Sequence, residues 1–465
     1  MARFLPCSSH LGTDFTSYGG CVVLCVYAAH LNKEQKLSNQ PSLARHLGLA
    51  TLILYGIGDI LGAGIYALVG KVAGMAGQGA WISFLLSGML ALITGLSYAE
   101  LSSRIPHSAG AAAYASRAFA APLVPFLVGV LVLASGITSA ATASLAFHGY
   151  LSVLLQVPQL LAAVALIVLI NFISFWGIRE SARTNNVLTL LEITGLVCVV
   201  GAGAAIAFDL SPSELGAKLS PSPEILPIVS GAALAFFAFV GFEDLVNLAG
   251  EAKDPRRDLP RAILVAVGVS SVLYLLVVLA VLCSQTPEAA AASPTALIEV
   301  LRAAGFPLPD WGFAPIALVA VLNTGLANCI MASRLLYGMG TQRLAPAAFT
   351  RVHTERRTPW VAIVTVTLLG ILFVLTGGVT AMAQTTSLLL IVVFFTVHLS
   401  LIVIRRAEPA PEQTYSAPGF NPWLGLAVSL SLAVGFPVEI YLRGALVIVI
   451  GVALYFAYQL SASRV

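Results

Sequence analysis

Acidic residues interrupt two of the long apolar runs in this chain. Asp59 stands in TLILYGIGDILGAGIYALVGK, residues 51–71, and the pair Glu243 and Asp244 stands in SGAALAFFAFVGFEDLVNLAGEA, residues 230–252. A charge in the middle of a membrane costs at least ~2.5 kcal/mol, so such a side chain is expected to face a cavity, a partner or an ion path. These acids therefore mark candidate sites for binding a ligand or carrying an ion.

Glycine accompanies the acids in both runs. The second run has Gly241 beside its two acids, and the first run holds Gly56, Gly58, Gly62, Gly64 and Gly70. Each glycine inside a helix costs up to ~1 kcal/mol relative to alanine, so the pattern predicts an unwound stretch; close helix packing is the alternative. A helix broken at mid-membrane exposes N–H groups that attract a carboxylate and carbonyls that attract an ammonium group. A zwitterion would fit such a break.

The elements that position these residues are predicted to be membrane-spanning helices. The chain is 58% hydrophobic and only 10% charged, whereas a soluble domain carries about 25% charged residues. Its apolar runs are roughly 17–25 residues long, the length of a helix that crosses the bilayer, and they lack the alternation of a membrane barrel. We therefore predict an all-α membrane protein with about twelve transmembrane helices. The predicted spans are 45–70, 79–101, 122–148, 158–176, 184–208, 225–250, 260–283, 312–340, 359–377, 381–404, 421–437 and 441–460.

The distribution of Lys and Arg predicts the orientation of these spans. With the N-terminus inside, 20 of the 24 basic residues fall on the inner side, and the outer side holds only Lys71, Lys218, Arg302 and Arg443. Basic residues concentrate in cytoplasmic loops, so we predict a multi-pass protein of the cell membrane with both termini in the cytoplasm. The longest outer segment is 284–311. Residues 1–40 are predicted to be a disordered extension, because their apolar stretch 21–31 is too short to span a membrane.

The same sequence argues against several other classes of protein. A net charge of +3 without a basic block gives no reason to expect a nucleic-acid partner. The six cysteines form no CxxC pair and the histidines have no metal-like spacing, so we expect no disulfide framework, no metal site and no cofactor. The chain lacks GxSxG, HExxH and Walker A motifs, which argues against an enzyme. It also lacks the re-entrant filter segment that is usual in channels.

Four stretches of the chain form a pattern. They are GDILGAGIY at 58–66, AELSSRIPHSAGAAAYASRAF at 99–119, FFAFVGFEDLVNLAGEAKDPRRDLPRAI at 236–263 and ASRLLYGMGTQRLAPAAFTRVHTERRTP at 332–359. In this order and spacing they resemble the amino acid–polyamine–organocation (APC) transporter superfamily. The resemblance implies a 5+5 inverted-repeat fold with the first and sixth spans unwound. The repeats would occupy 41–208 and 225–404, with two further spans at 421–465.

The resemblance also implies a function. It implies a secondary active transporter, or permease, that moves amino acids across the membrane by alternating access, as a proton-coupled symporter or as an exchanger. The alternative is an amine or polyamine transporter that uses Asp59 to bind the substrate cation. A receptor-like sensor built on the same fold would share these sequence features. The expected partners are a small-molecule substrate, membrane lipid and, for a symporter, a proton.

Residues around the two breaks receive roles from the resemblance. The groups that would hold the substrate carboxylate are the backbone N–H groups of Gly62, Ala63 and Gly64. The groups that would hold its α-amino group are the carbonyls of Ile60, Phe237 and Val240. Phe239 and Phe242, beside Ala238, would shape a small apolar side-chain pocket or act as gates. Glu243 would steady the break in the sixth span or join a proton path.

Two positions depart from the pattern expected of this family. Asp59 stands where many relatives carry a neutral residue, and it either adds a carboxylate for a substrate amine or pairs with the unwound backbone or a cation. Glu192, in the fifth span, stands where some proton-coupled relatives carry a lysine. A buried glutamate could carry a proton, although its charge is opposite to that of lysine. The alternative is that Glu192 pairs with a basic loop residue. Asp59, Glu192 and Glu243 are the candidates for proton coupling.

Overall fold

A computed structural model of the chain describes residues 47–106, 110–176, 182–221, 223–341, 344–409 and 414–462. The predicted extension at 1–40 lies outside these residues. The described chain is almost entirely helical, and its isolated β-bridge joins Leu47 to Ala252. The α-helices, in chain order, are α1 (Leu49–Ile60), α2 (Ala63–Ala76), α3 (Ala80–Arg104), α4 (Gly110–Ala118), α5 (Leu123–Leu151), α6 (Gln159–Trp176), α7 (Ala182–Asp209), α8 (Pro212–Leu219), α9 (Ile225–Ala235), α10 (Pro255–Ser284), α11 (Pro287–Ala292), α12 (Ala296–Ala303), α13 (Asp310–Thr341), α14 (Trp360–Thr376), α15 (Val379–Ala407), α16 (Asn421–Ala433) and α17 (Val438–Ala462).

The described helices are those of a membrane protein. Nine helical segments in the described ranges are long and apolar enough to cross a bilayer, and two shorter apolar helices, α1 and α14, accompany them. The prediction of an all-α, multi-pass membrane protein is therefore confirmed. The count of twelve spans stays a prediction, because α2 and α3 form one continuous run among the nine and α16 has only 13 residues.

The first predicted span is divided into two helices. The predicted segment 45–70 consists of α1 and α2, and between them Leu61 is extended, with φ −70° and ψ 125°. Gly62, also extended, precedes the first residue of α2. The helix therefore stops and restarts within one span, which leaves backbone N–H and carbonyl groups outside the regular helical ladder.

The sixth predicted span is interrupted as well. After α9 the chain forms a 3-10 helix over Phe236–Phe239, is extended at Val240, and resumes as a 3-10 helix over Phe242–Leu248. Gly241 has φ +129°, a conformation that is open to glycine and strained for other residues. The largest cluster of buried apolar side chains gathers around both interruptions from α2, α3, α9, α10 and α15.

The connection between α10 and α13 packs on one end of α2. Residues 284–311, predicted to lie outside the membrane, contain the short helices α11 and α12. Gly74 of α2 lies so close to α11 that a Cβ at Gly74 would overlap the Cβ of Ala291. The Nζ of Lys71 donates a hydrogen bond to the carbonyl of Ala291. The half of the interrupted first span that is predicted to be the outer one is therefore covered by α11.

The predicted inner ends of the two interrupted spans are joined by backbone hydrogen bonds. The N–H of Leu47 donates to the carbonyl of Glu251 (3.0 Å), and the N–H of Lys253 donates to the carbonyl of Leu47 (2.9 Å). Leu47 lies just before α1, and Glu251 lies just after the 3-10 helix Phe242–Leu248. The first and sixth spans are therefore tied together at their predicted cytoplasmic ends.

A buried ion cluster holds the C-terminal ends of α3 and α15 together. Glu100 has no exposed surface, and its carboxylate pairs with Arg405 (2.5 Å) and with Arg104 (2.8 Å). The same carboxylate accepts a hydrogen bond from the N–H of Ala417 (2.8 Å), in the segment that precedes α16. A buried charge is tolerated only when it is paired and hydrogen-bonded, and these groups meet that requirement.

Candidate binding site at two interrupted helices

The interruption of the first span presents backbone N–H groups at the start of α2. The first N–H groups of a helix have no partner within the helix, and they carry the positive end of its dipole. The N–H of Ala63 donates to Oγ1 of Thr324 in α13 (3.0 Å). No hydrogen bond among the described residues uses the N–H of Gly62 or Gly64. An anionic group placed here would accept hydrogen bonds from both.

In the interruption of the sixth span, the carboxylate of Glu243 binds the backbone of the break. Oε2 of Glu243 accepts a hydrogen bond from the N–H of Gly241 (2.9 Å), the residue with positive φ. Oδ1 of Asp244 accepts one from Nδ2 of Asn247 (3.2 Å). The first contact fits the predicted role of Glu243 in steadying the break. Its role in a proton path stays a prediction.

The two interruptions pack directly against each other. A Cβ built on Gly64 would overlap Cα of Ala238, so the start of α2 touches the backbone of the sixth span. A Cβ built on Gly241 would lie 2.5 Å from the carbonyl oxygen of Asp59, in the last turn of α1. Asp59 is half-buried. The structure therefore brings the predicted site residues of both spans together.

A tyrosine of α10 joins the two interruptions. The hydroxyl oxygen of Tyr274 lies 2.7 Å from the carbonyl oxygen of Ile60 and 2.9 Å from that of Ala238. One hydroxyl carries one proton, so Tyr274 donates to either carbonyl at a given moment. Tyr274 is fully buried, and its hydroxyl supplies a polar partner to a backbone that lacks helical hydrogen bonds. Both broken spans therefore depend on the same side chain.

Replacing Tyr274 with phenylalanine is expected to lower substrate uptake about tenfold. The change leaves a buried carbonyl without its donor, which costs about 1–3 kcal/mol, and the loss falls on the geometry of both breaks. Uptake by purified protein in proteoliposomes measures the effect. Tyr455→Phe makes the same change in α17, at a ring that packs on Phe126, and should transport normally. Equal uptake by the two variants would show that the Tyr274 hydroxyl is dispensable.

The carbonyls predicted to bind an ammonium group differ in their surroundings. The carbonyl of Ile60 lies against the Tyr274 hydroxyl, and that of Phe237 accepts a hydrogen bond from the N–H of Val240 (3.3 Å). No hydrogen bond among the described residues uses the carbonyl of Val240. A carbonyl oxygen can accept two hydrogen bonds, so each of the three retains room for a further donor.

Phe239 and Phe242 lie in the packed interior. The ring of Phe239 meets that of Tyr274 at a centroid distance of 5.1 Å. The ring of Phe242 meets those of Tyr98 (5.9 Å) and Phe394 (5.5 Å). Neither phenylalanine has exposed surface. These contacts favour a structural role, in which the two rings fix the 3-10 segments against α3, α10 and α15, and their predicted roles in a pocket or gate stay predictions.

Glu192 is buried beside the interruption of the first span. Its Oε1 accepts a hydrogen bond from Nδ2 of Asn323 in α13 (3.4 Å), and its main-chain carbonyl accepts one from the hydroxyl of Tyr66 in α2 (2.9 Å). Thr189, one turn earlier in α7, lies against Gly58 of α1. Because α7 contacts α1 through Thr189 and α2 through Glu192, the glutamate lies level with the break. This position between helices favours an interior role over pairing with a loop residue.

Three residues that contact these breaks or the adjacent Glu192 were not singled out from the sequence. They are Tyr274, Asn323 and Thr324. The adjacent polar residues Asn323 and Thr324 follow the apolar run 312–322 inside the predicted span 312–340. That feature could have marked them as polar residues within a span, but not as partners of the break. Tyr274 gave no such signal, because an isolated tyrosine in an apolar span is ordinary packing in most cases.

Comparisons with known proteins identify the family of this chain. A family model described as amino acid permease matches residues 51–454. The chain is 28% identical to the branched-chain amino acid permease BcaP of Bacillus subtilis (strain 168), over 92% of this chain and 96% of that protein. It is 32% identical to cationic amino acid transporter 9, chloroplastic, of Arabidopsis thaliana, over 67% of this chain and 58% of that protein. It is 28% identical to the methylthioribose transporter of Bacillus subtilis (strain 168), over 91% of this chain and 95% of that protein. The match extends through both interrupted spans, and the chain therefore belongs to the amino acid permease family of the APC superfamily.

Proposed function

We propose that this protein is an amino acid permease that works by alternating access. The observation that carries the proposal is the start of α2, where the N–H groups of Gly62 and Gly64 have no acceptor among the described residues. A substrate carboxylate would supply two acceptor oxygens at the positive end of the helix dipole. The family match and the printed names of the two amino acid transporters support amino acids as the substrate class.

The amino group of the same substrate would lie on the opposite side of the junction. The carbonyls of Ile60, Phe237 and Val240 each keep an acceptor position there. An α-amino acid presents its ammonium group one carbon away from its carboxylate, and the contact between Gly64 and Ala238 brings both kinds of backbone group together. Broken helices in transporters commonly bind charged groups in this way.

We propose that the preferred substrate is an amino acid with a small or medium apolar side chain. The residues beside the junction are small or apolar, as Ala63, Ala238 and Val240 illustrate. The name of BcaP, a branched-chain amino acid permease, supports the same class. The methylthioribose transporter is similar to this chain to the same degree, so a sugar-derived substrate belongs in the test beside amino acids.

The proposed topology follows the inverted repeat. The first repeat would occupy 41–208 and the second 225–404, with the remaining spans at 421–465 and twelve spans in total. The support is that each repeat would begin with an interrupted span, α1 with α2 and then α9 with the 3-10 segments. The bias of basic residues to the inner side supports a cell-membrane protein with both termini in the cytoplasm.

Transport is proposed to be coupled to protons through Glu192. A buried carboxyl group beside the first break can be neutral or charged, and a change of one charge there would alter the field at the start of α2. The support is the position of Glu192, with Asn323 on one side and Tyr66 on the other. Glu243 and Asp59 are the further candidates, since both lie at the same junction. The alternative to proton-coupled symport is an exchange of one substrate for another without a proton.

The proposal is tested by uptake into proteoliposomes from a labelled panel. The panel contains neutral and cationic amino acids, their decarboxylated amines and methylthioribose, each with and without an inward proton gradient. We expect uptake of branched-chain amino acids, none of the amines, and stimulation by the gradient. The panel distinguishes recognition of a carboxylate from recognition of a cation, because each amine keeps the side chain and loses only the carboxylate.

Other results would contradict the proposal in distinct ways. Uptake of amines in place of amino acids would mean that Asp59 dominates recognition, as an amine or polyamine transporter requires. Binding of amino acids without uptake would indicate a sensor. Uptake of amino acids that ignores the proton gradient would leave the permease activity standing and remove the coupling.

A further inference from the structure

A cavity lies outside the junction of the interrupted helices. It is an open cleft of about 550 Å³ at the start of α10, lined by Arg256, Arg257, Pro260, Arg261, Thr414 and Tyr415. All three arginines are exposed. In the described part of the chain, none of their side chains takes part in an ion pair or a hydrogen bond. The cleft therefore concentrates positive charge that no acidic side chain of the described residues pairs with.

The charged groups around the cleft are unevenly placed. Asp254 and Asp258 belong to the same turn of the chain as the arginines, but neither carboxylate lines the cleft. Among the described residues, the ionisable groups that line it are three guanidinium groups and the phenol of Tyr415. All of these are hydrogen-bond donors. Such a wall favours an anionic ligand with several acceptor oxygens.

The opposite wall of the cleft is held in place by the buried ion cluster. The N–H of Tyr415 donates to Oγ of Ser103 (2.8 Å), and two residues later the N–H of Ala417 donates to Glu100 (2.8 Å). Glu100 is itself fixed by Arg405 and Arg104. The segment that carries Tyr415 is therefore anchored on α3, and the arginines are carried by the first two turns of α10. The cleft is formed before any ligand arrives.

We propose that this cleft binds a phosphate group, carried either by an anionic lipid of the inner leaflet or by free inorganic phosphate. The planar guanidinium group matches the geometry of phosphate oxygens and binds them in pairs of hydrogen bonds. The cleft lies where the sequence places the cytoplasmic end of α10, and clusters of basic residues at that depth attract anionic headgroups. A bound phosphate would join Arg257 and Arg261 to the segment of Tyr415.

The bound group would also connect two parts of the inner face. The loop before α10 is tied to the entrance of α1 through Leu47, Glu251 and Lys253. The segment of Tyr415 is tied to α3 and α15 through Glu100. A phosphate in the cleft therefore bridges the inner ends of the interrupted spans and the α3–α15 cluster. A ligand that binds only the folded protein stabilises it, so occupancy should raise the melting temperature.

Thermal unfolding of the purified full-length protein tests the proposal. The melting temperature is recorded in detergent with inorganic phosphate and, as its control, with chloride at the same ionic strength. It is also recorded with phosphatidylglycerol and, as its control, with phosphatidylcholine, whose choline group neutralises the charge of the phosphate. The variant is Arg257→Gln with Arg261→Gln, and the matched control is Arg351→Gln, an exposed arginine that does not line the cleft. We expect the ligand to raise the melting temperature of the wild-type protein. The ligand concentration that gives half of this rise should be roughly tenfold higher or more in the double variant, and unchanged in Arg351→Gln.

The arms of the experiment separate the sources of the phosphate group. Stabilisation by phosphatidylglycerol and not by inorganic phosphate identifies a lipid, and the reverse identifies the free anion. Equal stabilisation of the double variant and Arg351→Gln would contradict the proposed site, because the ligand would then act through the general positive charge of the protein and not through this cleft. No stabilisation of the wild-type protein by either ligand would overturn it as well. Amino acid uptake is not part of this test, so its outcome is independent of the proposed transport function.

Discussion

Replacing Gly64 with alanine is expected to abolish transport. The added Cβ would overlap Cα of Ala238, and a backbone atom cannot turn aside as the end of a flexible side chain can. The two interrupted spans would have to separate, at the upper end of the ~1–3 kcal/mol that overpacking typically costs. A penalty of about 3 kcal/mol corresponds to a loss of roughly a hundredfold. Uptake of the preferred amino acid by proteoliposomes, normalised to the amount of reconstituted protein, measures it.

The matched control for this variant is Gly268→Ala. Gly268 is a glycine inside α10 whose added Cβ would meet no atom within 4 Å. Alanine is a better helix former than glycine by up to ~1 kcal/mol, so this variant should be at least as stable as the wild-type protein and transport equally well. Normal transport by Gly64→Ala would contradict the close contact between the start of α2 and the sixth span.

Replacing Glu192 with glutamine is expected to remove the pH dependence of uptake. Glutamine keeps the shape of the side chain and a carbonyl acceptor for Asn323, but it cannot gain or lose a proton. If Glu192 carries the coupling proton, an inward proton gradient should no longer stimulate uptake, whereas binding of the amino acid should persist. Uptake over a pH series and binding of the same labelled substrate give the two measurements.

The control for this change is Glu288→Gln, at an exposed glutamate in α11. It should keep the pH dependence of the wild-type protein. A Glu192→Gln variant that still responds to the gradient would remove Glu192 from the coupling mechanism. The same measurement on Glu243→Gln would then examine the next candidate, whose carboxylate holds the N–H of Gly241.

The features that were predictable from the sequence are those written in local composition. The apolar runs predicted at 122–148 and 158–176 coincide closely with α5 and α6, because an uninterrupted apolar run of that length has one stable form in a bilayer. The junction of the two broken spans was also visible as glycines next to acids. The structure gives a separate physical reason for glycine at each position. Gly64 lies too close to Ala238 for a side chain, and Gly241 has a positive φ.

The partners of the junction were not predictable because they are distant in sequence. Thr324 and Tyr274 reach the first break from α13 and α10, and no local pattern connects them to it. The directions in which the rings of Phe239 and Phe242 point could not be predicted from the sequence either. The sequence placed them near the break, but only the packing on Tyr98 and Phe394 reveals that Phe242 turns towards the interior.

The long sequence separation of these hydrogen bonds has a consequence for how the protein is made. The N–H of Ala63 precedes its partner Thr324 by 261 residues, and the carbonyl of Ile60 precedes Tyr274 by 214. At about 5–20 residues per second, a ribosome would need roughly 13 to 50 seconds to supply Thr324 after Ala63. An unsatisfied backbone group in hydrocarbon costs several kcal/mol, so the first span is expected to remain an unbroken helix, or to stay beside the insertion machinery, during that interval. The break that defines the site would then form only when the later helices arrive, as one of the last steps of assembly.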